Sequence, residues 1–496
     1  SGLNGLILAN NFILDSGSLA TFGSVTINTA NNSTTLSGTI SQNNGPMKLI
    51  AQGGSTLTLG GQASYSGGTD VQGGTTLTAG IANLFTSANH NLSLLDANSI
   101  FDMSAGNQTL GNINGVTSTS IQLGNKTLTF GTANDSSFSG VISGVDGKIV
   151  KQGSGTWYPL GENLYTGGST IKEGTVVVTN NQALGRNVVT GTSPAVIMED
   201  GTTLELGFVN LTNPITLNTG PNNQGVTFNL GSLPNAPAAI SSVIDGDNKL
   251  LIKGSRSLNL TEPHLFKGGL ELYDTSRISL IGNGNLANGS DVSLKSFGTI
   301  FDISLASPAV KLGALNGVQG SKVWVVNKTL TLTKNSNFMG DFLNSGNGFV
   351  IVDDNATLTL GGTIPRNLQI NKEATAELTS SASIPLGTNI ILAEKDATFN
   401  AEYYARPVID LGSLNGVADT TFKWGNQELS FYSPSASTFD GVLEGGASSS
   451  IMINSNLTLG GQNLNTPSWF INNTILKMKA GSTLPSISSL TITGNN

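Results

Sequence analysis

The chain is 496 residues long, and only 11% of them are charged, with a net charge of −8, no cysteine and 63 glycines. Disorder needs high charge with low hydrophobicity, so with 38% hydrophobic residues this composition excludes a disordered chain. The absence of cysteine excludes disulfides and thiolate metal sites. The 23 basic residues are scattered, against the clustering that nucleic-acid binding requires, and no run of about 18 apolar residues is available to cross a bilayer as a helix.

Taken in order, residues 1 to 46 hold strand-like pieces at Leu6-Ile7-Leu8, Phe12-Ile13-Leu14, Val25-Thr26-Ile27 and Thr39-Ile40. Residues 47 to 85 hold Lys48-Leu49-Ile50, Thr56-Leu57-Thr58-Leu59, Thr69-Asp70-Val71 and Thr76-Leu77-Thr78. Apolar residues alternate with Thr or Ser, which sends one side chain inward and the next outward. The theme returns at Thr127-Leu128-Thr129-Phe130, Thr329-Leu330-Thr331-Leu332, Thr357-Leu358-Thr359-Leu360 and Asn456-Leu457-Thr458-Leu459. Pieces this short do not make a free-standing sheet, so each must pair with neighbours stacked above and below. The first four residues, Ser1-Gly2-Leu3-Asn4, lack the basic and apolar run of an export signal, which is expected to be missing or already removed.

Markers recur along the chain at a nearly fixed period. Tyr65-Ser66-Gly67-Gly68-Thr69 returns as Tyr165-Thr166-Gly167-Gly168-Ser169 and Phe266-Lys267-Gly268-Gly269-Leu270. Leu36, Phe138, Ile240, Phe338 and Phe439 open similar pentapeptides spaced about 98 to 102 residues apart. Leu84, Leu184, Leu286, Leu386 and Leu484 close the blocks, and Ile113-Asn114-Gly115-Val116 returns as Leu315-Asn316-Gly317-Val318 and Leu414-Asn415-Gly416-Val417. Phe101-Asp102, Phe301-Asp302 and Ile409-Asp410 precede these last three. The chain thus reads as about five degenerate copies of a unit of roughly one hundred residues. Coils of about 20 to 25 residues stacked at about 4.8 Å would give a rod on the order of 100 Å long. A five-bladed propeller is disfavoured because blades are about half this length, and a row of Greek-key sandwiches would need longer strands.

Gly153-Ser154-Gly155-Thr156, Leu160-Gly161, Asn163, Tyr165-Thr166-Gly167-Gly168-Ser169-Thr170, Gly174-Thr175-Val176 and Ala183-Leu184-Gly185 together resemble the passenger-associated repeat of bacterial autotransporters, the type V secreted proteins of Gram-negative bacteria. Residues Leu57 to Leu84 are similar to the same repeat. The resemblance implies an all-β fold, a right-handed parallel β-helix running through residues 1–496 as one continuous region, with repeat units near 1–100, 101–200, 201–300, 301–400 and 401–496. It also implies export through the outer membrane by a C-terminal β-barrel translocator absent from this chain, whose end at Leu490-Thr491-Ile492-Thr493 is still repeat-like, followed by display on the cell surface or release.

Parallel β-helices also carry polysaccharide-degrading enzymes, whose sites need clustered carboxylates. Glu199-Asp200-Gly201, Asp353-Asp354-Asn355 and Asp245-Gly246-Asp247 lie between strands, where Asp-Gly and Asp-Asn form turns. Asp102, Asp302 and Asp410 recur with the repeat and read as structural. His90 and His264 fit no triad or zinc spacing and are expected on exposed loops. The glycine pairs precede no Lys-Ser/Thr and no helix, so they read as turns and bulges, not as a phosphate loop. Trp324 and Trp424 occupy similar block positions and are expected to pack in the core or as a cap. The remaining candidate is an insertion, Tyr403-Tyr404-Ala405-Arg406, because insertions on a solenoid project as loops and often bind, with a plain covering loop as the other reading; a similar excursion runs from Thr219 to Ala239. No catalytic residue, metal site or cofactor is assigned. The expected role is an adhesin-like passenger that contacts a host surface receptor, extracellular matrix or copies of itself, and not nucleic acid; a polysaccharide-degrading enzyme and a cytotoxic passenger are the alternatives.

Overall fold

The computed structural model describes all residues except 1–4, 16–21, 31, 88, 187–189, 232–236, 308, 344–345, 433–435, 462, 465–467, 483–488 and 494–496. Three sequence markers, residues 1–4, Leu484 and the last three residues, therefore lie outside the described residues. Among the described residues every secondary-structure element is a strand, and every strand pairing is parallel. The strands fall into two compact units, one ending at Leu250 and the other beginning at Leu251.

In the first unit each coil lays down strands on three faces. One face stacks Thr56–Leu59 on Thr76–Ala79, then Ile100–Asp102, Ser120–Gln122 and Val141–Gly144. A second stacks Thr127–Phe130, Lys148–Lys151, Ser169–Ile171, Val196–Met198 and Ile215–Leu217. The third runs from Met47–Gln52 through Thr69–Val71, Leu92–Leu94 and Ile113–Gly115 to Ser136–Phe138 and Thr156–Pro159. Thr56 sits on Thr76 and Thr127 on Lys148, so a coil consumes about 20 residues at these positions, as the short strands require. The alternation holds: Leu57, Leu59, Leu128 and Phe130 are fully buried while the threonines beside them point outward. Each such Leu contributes roughly 1.5 to 3 kcal/mol before chain entropy is subtracted.

The second unit is built the same way, with Thr329–Leu332 on Phe349–Val352 and Asn367–Ile370, and Ser336–Phe338 on Thr357–Leu360 and Thr375–Leu378. Its third ladder, Arg277–Gly282, Ile300–Ala306, Lys322–Trp324 and Asp341–Leu343, then stops. In the next two coils that face is reduced to an isolated bridge between Thr363 and Ser383. The cause is local. Thr363-Ile364-Pro365 and Ser383-Ile384-Pro385 each place a proline, which has no N–H to donate, where a strand would continue. The first of these coils is also short, with Asn371 bonded to Asp353 only 18 residues back.

The recurring sequence markers are recurring contacts, some within a coil and some between coils. Tyr65 and Tyr165 are fully buried, and their hydroxyls meet Thr69 Oγ1 at 2.7 Å and Ser169 Oγ at 2.6 Å. Where the third copy has Phe266 the hydroxyl is gone, and the residue four positions on is the buried Leu270. The second glycine of each turn, Gly68, Gly168 and Gly269, has φ of 85°, 95° and 90°, a conformation that side chains with a Cβ resist. In the Asn-Gly copies, Gly115, Gly317 and Gly416 pair with Phe138, Phe338 and Phe439 of the following coil. A Cβ at any of the three glycines would fall under 3.0 Å from the phenylalanine ring. The asparagine before each glycine accepts a backbone N–H at 3.1 Å, from Ser137, Asn337 and Thr438.

These copies do not keep to one ladder. Leu315–Gly317 and Ser336–Phe338 belong to the ladder that leads on to Thr421–Trp424, whereas Leu414 continues the ladder of Thr388–Leu392 towards Ser437–Phe439. What repeats is a pair of neighbouring strands, independent of the face on which it lands.

Candidate functional site

Of the carboxylates singled out in the sequence, Glu199, Asp200, Asp302 and Asp353 bond to neighbouring coils. Asp200 accepts the backbone N–H of Gln224 at 3.1 Å and of Gly225 at 2.7 Å, and the Asn248 amide at 3.0 Å. Burial alone would raise its pKa, but these hydrogen bonds outweigh burial and hold it below the ordinary carboxylate value. Glu199 accepts from Asn218 at 3.1 Å. Asp353 is paired with Lys311 at 2.9 Å and accepts from Asn371 at 3.1 Å; the Lys311 hydrogen bond is the chief cause of its lowered pKa. Asp102 and Asp302 each accept the N–H two residues ahead, from Ser104 at 2.9 Å and Ser304 at 2.8 Å, and Asp302 also pairs with Arg277. Among the described residues no three His, Asp or Glu side chains are grouped to hold a metal ion.

The histidines overturn the expectation of exposed loop residues: His90 is 0% and His264 1% exposed. Both are outside strands, but the chain turns their rings inward, where the core supplies partners that sequence spacing does not reveal. His90 Nε2 lies 2.8 Å from Thr69 Oγ1 and Nδ1 3.2 Å from the Tyr65 carbonyl, and the ring stacks on Phe85 at 3.9 Å. Burial pulls both pKa values down to about 4, partly opposed at His90 by the bond to Tyr65, so both rings are neutral at pH 7.

The sequence also gave no warning of Lys151, which is only 2% exposed. Its ammonium donates to the carbonyls of Gly153 at 2.6 Å, Glu173 at 3.0 Å and Gln152 at 3.1 Å. Burial brings its pKa down to about 8 against the opposing charges of Glu173 and Asp135. It ties two coils together from inside.

The insertion after Thr398–Ala401 divides into an outer and an inner part. Tyr403, 73% exposed, and Arg406 face solvent. Tyr404 does not: it is 3% exposed, and its carbonyl accepts the Gln427 side-chain amide. Leu386, unlike Leu84, Leu184 and Leu286, is exposed. Trp157, Trp424 and Trp469 are core residues, as expected of Trp424. Trp324 is not in the core. It is half-buried on the outer side of its strand, with the Arg277 guanidinium 4.2 Å from its ring centroid.

Trp324 belongs to a recess that forms where the Asp341–Leu343 ladder ends. A cavity of about 410 Å³ is lined by Trp324, Val326, Phe342, Leu343, Ile364, Arg366 and Pro385. A second of about 640 Å³ is lined by Phe297, Gln319, Lys322, Asp341, Thr363, Ser381 and Ser383 over a floor that includes Gly361 and Gly362. The two lie side by side along the same strands, since Lys322 and Trp324, and Asp341 and Leu343, are next-but-one neighbours. The first unit has a counterpart of about 470 Å³ beside Phe85, again where a face is reduced to the bridges of Ala63. The signal that would have located the second unit's recess is the Ile-Pro pair repeated 20 residues apart at 364–365 and 384–385.

Comparison with known proteins supports the sequence resemblance. Residues 49–80 and 149–178 match the passenger-associated-transport-repeat family. They include the two tyrosine-to-hydroxyl contacts and the Gly68 and Gly168 turns. Over 157 residues the chain is 33% identical to the adhesin BmaC autotransporter of Brucella suis biovar 1 (strain 1330). That alignment covers 31% of this chain and 4% of the relative. Repeats of this family on parallel coils, together with the partial likeness to an autotransporter, support an autotransporter passenger with passenger-associated repeats.

Proposed function

We propose that the chain is a non-enzymatic interaction passenger of adhesin type, displayed on the bacterial surface or secreted, that attaches to a host surface receptor or extracellular matrix or associates with its own copies. The observation that carries this reading is that Glu199, Asp200 and Asp353, acids of the kind a β-helical polysaccharide enzyme would require, are engaged in coil-to-coil hydrogen bonds. The name of the relative, an adhesin, supports it. Tyr403 and Arg406 remain the outward-facing contact residues proposed in the insertion.

Binding of labelled protein to host cells tests the reading, together with sedimentation to score self-association. Excising residues 398–408 would remove a strand whose Phe399 and Ala401 are buried, so the informative variants are Tyr403→Ser and Arg406→Gln. Saturable attachment or self-association is expected, and reduced attachment of the variants would place the insertion in the contact. Neither attachment nor association, with cleavage of a polysaccharide instead, would overturn the reading.

A further inference from the structure

We propose that the recess beside Asp341–Leu343 binds an acidic oligosaccharide, a run of sugars bearing carboxylates. The inference gives the attachment function a ligand class and rests on that reading for its biological role. Its chemistry is argued from the recess alone.

Three observations carry it. Aromatic rings stand in both cavities: Phe297, 75% exposed, lies close over Gly320, and Trp324 lines the neighbouring cavity. Such rings offer apolar faces on which the C–H faces of sugars pack. Between them Gln319, Thr363, Ser381 and Ser383 supply the amide and hydroxyl groups that sugar hydroxyls need. Two cations, Lys322 and Arg366, line the recess, one in each cavity, and neither has a carboxylate within 4.0 Å among the described residues. The one carboxylate present, Asp341, already accepts the Thr363 N–H at 2.9 Å. On a chain of net charge −8, two cations in one recess favour an anionic guest.

An added peptide strand fits less well. The backbone groups along this edge are taken: Phe342 N–H donates to Thr363 at 2.9 Å, Ile364 N–H to Ser383 at 3.0 Å and Ser383 N–H to Gly362 at 3.0 Å. Strand addition needs a free row of such groups. The side-by-side cavities, with outward residues spaced on the order of 7 Å along the strand, suit a ligand of several linked units.

The test is calorimetric titration of the whole chain with β-1,4-linked hexamannuronate, against neutral mannohexaose of the same linkage and against hexaglutamate. Hexamannuronate is expected to bind at least tenfold more tightly than either control. Lys322→Gln and Arg366→Gln should each weaken it about tenfold and together abolish it, and Phe297→Ser, at an exposed ring, should weaken it without altering thermal unfolding. Equal binding of the neutral sugar, equal binding of hexaglutamate, or full binding by the double variant would each overturn the proposal. The same double variant separates this inference from the attachment reading. Cell attachment without hexamannuronate binding refutes only the glycan assignment, and hexamannuronate binding without attachment or self-association refutes only the adhesin role.

Discussion

Tyr165→Phe isolates what the repeated tyrosine turn contributes. Tyr165 is fully buried and Ser169 is 4% exposed, and among the described residues their 2.6 Å hydrogen bond is the one contact that satisfies both hydroxyls. Removing the tyrosine hydroxyl leaves Ser169 Oγ buried without a partner, which costs about 1 to 3 kcal/mol. Removing both, as Tyr165→Phe with Ser169→Ala, should bring stability back to within about 1 kcal/mol of the starting protein, because no polar atom is then stranded. The chain already contains the analogous solution at Phe266 and Leu270. Tyr65→Phe should be milder than Tyr165→Phe, because Thr69 Oγ1 keeps His90 Nε2 at 2.8 Å. A stacked protein opens locally, so the measurement is amide hydrogen exchange of the segment 163–178. Protection there should fall about 5- to 140-fold in the single variant and recover in the double. A double variant that exchanges faster than Tyr165→Phe would refute the reasoning.

The buried histidines set an acid limit. Their unfolded-state pKa is near 6.5 and their folded value about 4, so between those pH values the unfolded chain binds more protons and stability falls as pH drops. The loss approaches about 3 kcal/mol per histidine by pH 4, and an imidazole NMR titration should show neither ring protonating above pH 5 in the folded protein. A midpoint near 6.5 for either would contradict its burial. Gly317→Ala should destabilise by about 1 to 3 kcal/mol by driving a Cβ into the Phe338 ring, and Phe338→Leu on the same chain should recover part of that loss; purely additive costs in thermal unfolding would argue against the contact.

The strands were legible because their signal is local. Thr-Leu-Thr-Leu alternates within four residues and needs no partner to be read, and Thr56–Leu59, Thr329–Leu332 and Thr357–Leu360 all form as the pattern predicts. Side-chain direction outside the strands was not legible. Tyr403 and Tyr404 are adjacent and chemically identical, yet one faces solvent and the other the core, because a turn after Ala401 points successive side chains apart. His90 misled for the same reason: a polar residue outside a strand reads as exposed unless the Thr69 hydroxyl and Tyr65 carbonyl that receive it are known. The recess was hidden because it arises from strands that are missing, and a proline that prevents a strand reads like any other turn proline.

The register between coils also governs how such a chain can change in length. Loss of one residue inside Thr56–Leu59 would turn the next leucine outward and shift every contact with Thr76–Ala79, whereas loss of residues 56–75 would remove one full winding and let the chain rejoin at an equivalent point. Inheritable variation in length should therefore come in quanta of a whole winding, with smaller insertions confined to corners such as the one that holds Tyr403.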